Sequence, residues 1–426
     1  MSKNYLICKD GSFIIKNYNE LHPFSNFLAG ISGEWGTPLW VFYVNRGQGI
    51  ISFGIKDKDH SLLEFLPADK AYSLVSLLGF RTFLKINRKV YYEPFRPSQP
   101  HCANEMIIGD SCLKIREVNT ELGLEVEVKY FTLPNTHLGG LVRKVIFRNN
   151  SGHNINLEAL DGLSRVVPFG SANYFLKDMS RTLEAWMRVV LKNNLALFRL
   201  IIDPRDVSQT KHIDGANFNY SFYESNGKSN IPYLIADPAV IFGDNASFLF
   251  PDKFLSENFK IPMEQITCGR RPCAFTYFNT NIAPAREVVL YSIFSSSFKE
   301  ALIDKFIKNL DAKFLNDKEE ENRKVINSIR NNTFCLSAYQ NFDQYLKNTY
   351  LDNVLRGGFP YCVKSKNTSG SKLVSHKPYY IFSRKHGDLE RDYNHFQLTP
   401  SYFSEGEGNY RDINQNRRMD LFFEPA

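Results

Sequence analysis

The densest run of groups able to do chemistry lies at residues 381–418, I-F-S-R-K-H-G-D-L-E-R-D-Y-N-H-F-Q-L-T-P-S-Y-F-S-E-G-E-G-N-Y-R-D-I-N-Q-N-R-R. Within it the tetrad R-D-x-N occurs twice, at Arg391-Asp392-Asn394 and at Arg411-Asp412-Asn414. A ring of equatorial hydroxyls offers a donor and an acceptor at each carbon. A carboxylate can accept from two neighbouring hydroxyls while Arg and Asn supply fixed donors. Gly406 and Gly408 let backbone turn sharply or approach a ligand closely. Tyr402, Phe403 and Tyr410 add flat apolar faces beside those polar groups, and Gln415 a further amide. The mixture suits a sugar pocket.

Each feature also has a plainer explanation. Adjacent Arg and Asp side chains point in different directions, so a single R-D pair is usually a surface ion pair or a cap. Gly406-Glu407-Gly408 lacks the third glycine and preceding strand of a dinucleotide loop, and the Lys-Ser/Thr end of a phosphate loop. His386 and His395 could act as base or ligand, but lone histidines are more often structural. What sets the stretch apart is density: Arg, Asp, Asn, Gln, Gly and Tyr crowd it with few aliphatics.

The elements that must position these residues divide at about residue 297. Before it, short apolar runs alternate with polar residues or end at turn signals. Leu124-Val126-Val128-Tyr130 alternates with Glu125, Glu127 and Lys129 and stops at Pro134-Asn135. Val142–Phe147, the turn Asn149-Asn150-Ser151-Gly152 and Ile155–Leu160 read as a hairpin, and Val288–Phe294 as a buried strand. A helix is possible around Leu183–Lys192. Many short strands over nearly 300 residues predict one large antiparallel β-sandwich, residues 1–296.

The apolar period then changes from two to 3.6. Ser295-Ser296-Ser297 are cap candidates for a helix with apolar residues at Phe298, Leu302, Phe306, Leu310 and Phe314, widened by Ile303 and Ile307. The charged run 316–324 interrupts it as a solvated linker or helix surface, and Val325–Arg330 is helical again. These residues, 297–335, form a helical linker. A third helix, Leu336–Leu355, is stopped by Gly357-Gly358-Phe359-Pro360, and the sequence to about His376 is polar and loop-like.

Composition narrows the partners. The net charge of +7 is spread over 52 basic and 45 acidic residues without a basic run, and residues 381–426 hold six basic against eight acidic, which argues against nucleic acid. No apolar stretch is long enough for a membrane span and no signal peptide is evident, so a cytoplasmic location is the expectation. Seven scattered cysteines show no paired framework. Cys268 and Cys273 have no second pair to complete a zinc set, so no metal is expected. The 14% of aromatic residues fits large β cores and also sugar sites.

At motif level, Ser401–Asn416 resembles the S-x-Y-x-S-G-x-G-x-G-x-R-D-x-N-Q-D signature of inverting glycoside phosphorylases of the cellobiose phosphorylase type. The preceding S-R-K-H-G-D-L-E-R-D-Y-N and the N-Q-N-R-R ending look closer to β-1,3-glucan (laminarin-type) phosphorylases. The resemblance implies a galactose mutarotase-like β-sandwich, a helical linker and an (α/α)6 catalytic barrel. It implies that Arg411 and Asp412 bind hydroxyls of the donor-subsite sugar. Asn414 and Gln415 would line the same pocket, and Tyr402 with the Gly406–Gly408 loop would shape its floor. Tyr410, Arg391 and Asp392 are further candidate contacts. The sequence departs from the cellobiose-type pattern at Glu405, Glu407 and Asn416-Arg417-Arg418, which bears on acceptor preference.

The resemblance also implies a mechanism. Inorganic phosphate attacks the anomeric carbon, so one protein acid suffices and no other cofactor is needed. In the family that Asp and most phosphate ligands lie well downstream of the R-D-x-N-Q motif, so no catalytic residue is assigned here. Twelve helices of about 12 residues need well over about 200 residues. Residues 336–426 supply 91. The expectation is an N-terminal fragment of a β-glucan phosphorylase holding the first part of a truncated barrel. It would be inactive alone and would expose apolar helix faces; either it is the N-terminal piece of a split or truncated enzyme, or a second chain supplies the remainder. A homodimer through the sandwich is a further implication. The alternative is a non-catalytic carbohydrate-binding or scaffold protein. A glycoside hydrolase is less favoured, since its water-activating carboxylate would also lie outside this chain.

Overall fold

The computed structural model describes residues 4–364, apart from residues 9, 34, 35 and 206, together with residues 376–381. Three antiparallel sheets dominate. The largest has 11 strands. Its spatial order is Tyr5–Ile7, Phe13–Lys16, Cys102–Ile108, Cys112–Asn119, Leu124–Thr132, Gly140–Asn149, Glu287–Ser297, Ala216–Ser225, Leu195–Leu200 and Met187–Lys192, with Lys228–Asn230 beside Ala216–Ser225. A five-stranded sheet runs Tyr233–Ile235, Ala274–Ile282, Ile155–Leu163, Phe80–Ile86 and Val90–Tyr92. A four-stranded sheet runs Ser25–Phe27, Leu39–Val44, Ile50–Ile55 and Ser61–Leu63.

One core joins all three sheets. Phe80 of the five-stranded sheet lies 5.5 Å from Tyr130 and 5.1 Å from Phe294 of the large sheet. Phe53 of the four-stranded sheet stacks on Phe80 at 6.0 Å. The two smaller sheets therefore face the large one, as a sandwich requires. Alternation decides which side chains enter that core. Along Cys112–Asn119 every second residue is buried, beginning with Leu113 and Ile115.

Gly140–Asn149 is buried on both faces, and the helices explain why. Leu141, Val145 and Phe147 enter the sandwich core, whereas Val142 and Ile146 lie on the outer face under Leu310 and Leu315. Burying a leucine such as Leu315 contributes roughly 1.5–3 kcal/mol. A helix at Ala68–Leu78 likewise covers the four-stranded sheet, packing Ala68, Ala71 and Val75 against Trp40, Phe42, Val44 and Ile51.

The structure corrects several expectations. Gly140–Asn149 and Ile155–Leu163 do not pair as a hairpin. The first lies between Leu124–Thr132 and Glu287–Ser297, the second between Phe80–Ile86 and Ala274–Ile282, so residues 150–154 carry the chain from one sheet to another. The segment read as a possible helix at 183–192 is a 3-10 turn, Ser180–Trp186, and then the edge strand Met187–Lys192 paired with Leu195–Leu200. Ser295-Ser296-Ser297 is not a helix cap but the buried end of a strand. The following helix starts at Glu300, although Ser297 Oγ does accept from Lys299 N–H at 3.2 Å.

The 3.6-period stretch is two helices, Glu300–Ile307 and Ala312–Arg330. The buried side is that of Ile303, Leu310 and Leu315, with Phe298 and Leu302 exposed. Asp311 caps the second helix by accepting from Phe314 N–H at 2.7 Å. That helix continues through the charged run, whose pairs Lys318–Glu321 and Arg323–Glu320 lie on its surface. Leu315, Asn322, Ile326 and Ile329 form its buried face. The third helix is Gln340–Gly357, and Phe359–Lys364 then pairs with His376–Ile381 where loop was expected.

Candidate functional site

All the sugar-contact candidates lie outside the described residues: Arg391, Asp392, Tyr402, Gly406, Gly408, Tyr410, Arg411, Asp412, Asn414 and Gln415, together with His386 and His395. What the structure does show is the part of the chain leading to them. The strand His376–Ile381 ends three residues before Arg384, and its hairpin follows directly from the helix Gln340–Gly357.

That helix is fixed to the sandwich in two ways. Tyr350, Leu351, Val354 and Leu355 pack with Ile326 and Ile329 of the preceding helix and with Ala29 and Ile31 of the sandwich. Buried Arg330 donates to Asp110, and its Nη2 to Gln344 Oε1 at 3.1 Å and Asn348 Oδ1 at 3.2 Å. Burial holds the Asp110 carboxyl above the usual carboxylate range despite Arg330. Phe334, Leu336, Tyr339, Phe342 and Tyr345, before and along the same helix, are exposed.

A separate cavity of about 570 Å³ opens at one end of the five-stranded sheet, lined by Arg165, Arg181, Arg270 and Arg271 among others. Strand register brings two of these together. Leu163 pairs with Ala274, and the antiparallel course continues past the strand ends with Val166 N–H donating to Pro272 O at 2.9 Å. Arg165 and Arg271 each immediately precede one of those two residues. Gly269, at φ +71°, makes the turn that presents Arg270-Arg271, a left-handed position that suits glycine.

The guanidinium groups are held unequally. Arg270 Nη1 donates to Asp237 Oδ1 at 2.7 Å, and Asp237 also accepts from Ala239 N–H at 3.0 Å. Arg271 Nη2 donates to Glu64 Oε2 at 3.0 Å, leaving its buried Nε without a partner. Arg165 instead lies over the Phe248 ring at 5.2 Å, with no carboxylate at ion-pair distance among the described residues. Arg181 is exposed at the rim. Burial and then the neighbouring Arg271 charge push the Arg165 guanidinium below its ordinary value.

The loop carrying Phe248 is itself anchored. Buried Arg81 donates to Glu93 Oε1 at 2.8 Å, to Phe248 O, and to Leu249 O at 3.1 Å. Phe248 sits at φ +58°, a strained conformation for a bulky residue that this clamp holds in place. Leu176, Met187 and Phe248 give the cavity apolar walls, while Glu184 and Asp244 offer acceptors. The cavity thus sets four guanidinium groups, two of them paired with carboxylates, beside Glu184, Asp244 and an apolar wall.

No sequence motif announced this site, because its arginines come from three separate segments, at 165, 181 and 270–271. The one local signal was the G-R-R-P run within T-C-G-R-R-P-C-A, where attention falls on the cysteines. Those two differ in setting: Cys268 is exposed, whereas Cys273 is buried, with its thiol pushed well above its ordinary value by burial. Among the described residues no group of three or more His, Cys, Asp or Glu could hold a metal ion. Nor is any described helix long and apolar enough to cross a membrane.

No protein-family model matches the chain, and no curated protein matches it. Solved structures with some similarity include a bacterial glucoamylase complexed with acarbose, 11% identical over 82% of this chain and 46% of that one, TM-score 0.37. Another is a family GH92 inverting mannosidase from Bacteroides thetaiotaomicron, 9% identical over 88% of this chain and 41% of that one, TM-score 0.35. A human-microbiome protein described as a kojibiose phosphorylase is 7% identical over 82% of this chain and 33% of that one, TM-score 0.26. The chain thus spans less than half the length of each.

Proposed function

We propose that residues 401–416 form the donor-subsite wall of an inverting β-glucan phosphorylase. The observation that carries this reading is the ordered match of S-Y-F-S-E-G-E-G-N-Y-R-D-I-N-Q-N to that family's signature. Arg411 and Asp412 grip hydroxyls of the terminal glucosyl unit, with Asn414 and Gln415 beside them. Tyr402 and the Gly406–Gly408 loop shape the floor. In such a reaction the glycosidic C–O bond breaks as phosphate oxygen bonds to the anomeric carbon from the opposite face, and an acid protonates the departing oxygen. The resemblance assigns that acid to no residue of this sequence. The second reading, a carbohydrate-binding protein without catalysis, rests on the same hydroxyl-binding groups.

Calorimetry with laminari-oligosaccharides tests the placement. Saturable binding is expected, and Asp412→Ala is expected to abolish it with the circular dichroism spectrum unchanged. Binding that survives Asp412→Ala would remove the pocket from this stretch. Formation of glucose 1-phosphate from the oligosaccharide and phosphate separates the phosphorylase from the binding protein.

A further inference from the structure

The chemistry of the arginine-lined cavity points to a ligand other than a neutral sugar. We infer that it binds the phosphoryl group of a small molecule, with Arg165, Arg181 and Arg271 supplying the donors.

Charge is the first reason. A half-buried guanidinium with no carboxylate partner is costly, and Arg165 pays that cost beside a second cation, Arg271. Arg270 and Arg271 are each steadied by one carboxylate, so their forks are oriented but not exhausted. An anion in the cavity would take guanidinium donors that Glu64 leaves open and relieve the repulsion between Arg165 and Arg271.

Geometry is the second reason. A planar guanidinium matches the edge of a phosphoryl group with two parallel hydrogen bonds, and several converging forks select a tetrahedral dianion over a single carboxylate. The clamp from Glu93 through Arg81 to the Phe248 carbonyl keeps the ring under Arg165 in place without any ligand. The Arg165 donors are therefore preorganised, which lowers the ordering cost of binding.

Size sets the class of ligand. At about 570 Å³ the cavity is far larger than a bare phosphate and falls in the range of small-molecule sites. Asp244 and Glu184 can accept from hydroxyls, and Leu176 and Met187 give an apolar wall. A phosphate monoester of a polyhydroxylated body fits all of these groups. Free phosphate would use the arginines alone.

Calorimetry on the full chain with glucose 6-phosphate, inorganic phosphate and glucose distinguishes the sources. Saturable binding of glucose 6-phosphate or phosphate that weakens as salt rises is expected. Tighter binding of glucose 6-phosphate identifies a monoester, and equal affinity identifies free phosphate. Arg165→Met is expected to weaken that binding roughly ten-fold to a hundred-fold, as loss of charge-assisted hydrogen bonds does. Should Arg165→Met unfold the chain, Arg181→Met at the exposed rim provides the same comparison with a smaller loss. Asp412→Ala should leave this binding untouched, which separates it from any sugar site in residues 401–416. No binding of either phosphorylated probe to the wild-type chain, or binding unchanged in the arginine variants, overturns the inference.

Discussion

Glu125 shows how single charges on the outer face of the large sheet matter to stability. Its carboxylate accepts from Arg116 Nη2 at 2.7 Å and Arg148 Nη1 at 2.6 Å, and the Arg116 hydrogen bond leads the causes that hold its pKa down to about 2. A carboxyl depressed in the fold stabilises it above its unfolded value of 4.5, and that contribution is lost as pH falls from there towards about 2. Glu125→Gln should therefore be less stable than wild type at pH 7, with the gap closing between pH 4.5 and 2. Urea unfolding at pH 7, 4.5 and 3 measures it, and a gap that stays constant would show that the carboxylate's charge is not what Arg116 and Arg148 hold. In the interior, Arg143 meets Asp161 through Nε at 2.8 Å and Nη2 at 2.6 Å, with Thr82 Oγ1 donating to the same carboxylate at 2.6 Å. The sequence displays these charges but not their partners. The cross-strand partners of Glu125 and the inter-sheet partner of Arg143 depend on register and on sheet packing. The same is true of Arg165 and Arg271, which only the register beyond Leu163 and Ala274 brings side by side.

Among the elements, those with a strong local period were legible. Leu124–Thr132 follows its alternation, and Ala312–Arg330 carries its buried residues on one face. The error at 142–160 is instructive, because both strands were identified and only their partnership was wrong. Asn149 explains the departure. It is fully buried, and its Nδ2 donates to Ile282 O at 2.8 Å and His153 O at 2.7 Å, while its Oδ1 accepts from Ser151 N–H at 2.9 Å. One side chain thus ties the end of a large-sheet strand to the five-stranded sheet, where a hairpin turn would have left it in solvent. Asn149→Ala should cost roughly 2–3 kcal/mol, because the Ile282 carbonyl is left buried without this donor. Neighbouring Asn150 is exposed, and Asn150→Ala should stay within about 0.5 kcal/mol. Guanidinium unfolding of both variants checks the contrast, and equal losses would mean that the turn, not the inter-sheet tie, sets the crossing. The 183–192 segment differs for a related reason: Met187–Lys192 is a strand fixed by distant partners, Leu195–Leu200 on one side and the Arg188–Cys268 bridge on the other, and its own pattern is too short to show it.

At the scale of the molecule, two of the joints between the sandwich core and the helices differ in kind. The outer face of the large sheet is covered by Leu310 and Leu315. The later helix is held by the Tyr350–Leu355 cluster and by Arg330. Because Arg330 reaches Asp110 in the sandwich, and Gln344 and Asn348 in Gln340–Gly357, it is a polar link between the two parts. Burial already lifts the Asp110 carboxyl above its usual range, so the pair itself adds little net stability. Removing Arg330 is different, since it leaves that carboxylate and two amides without their donor. Arg330→Ala should therefore loosen Gln340–Gly357 while the sandwich, with its own core, keeps its protection. Hydrogen exchange followed by mass spectrometry should show amides of 340–357 exchanging roughly ten-fold or more faster and those of Leu124–Thr132 unchanged. If both regions speed up together, helix and sandwich open as one cooperative unit. The apolar cluster of Ile326, Ile329 and Leu351, not the arginine, would then be what couples the segment before residues 384–418 to the rest of the fold.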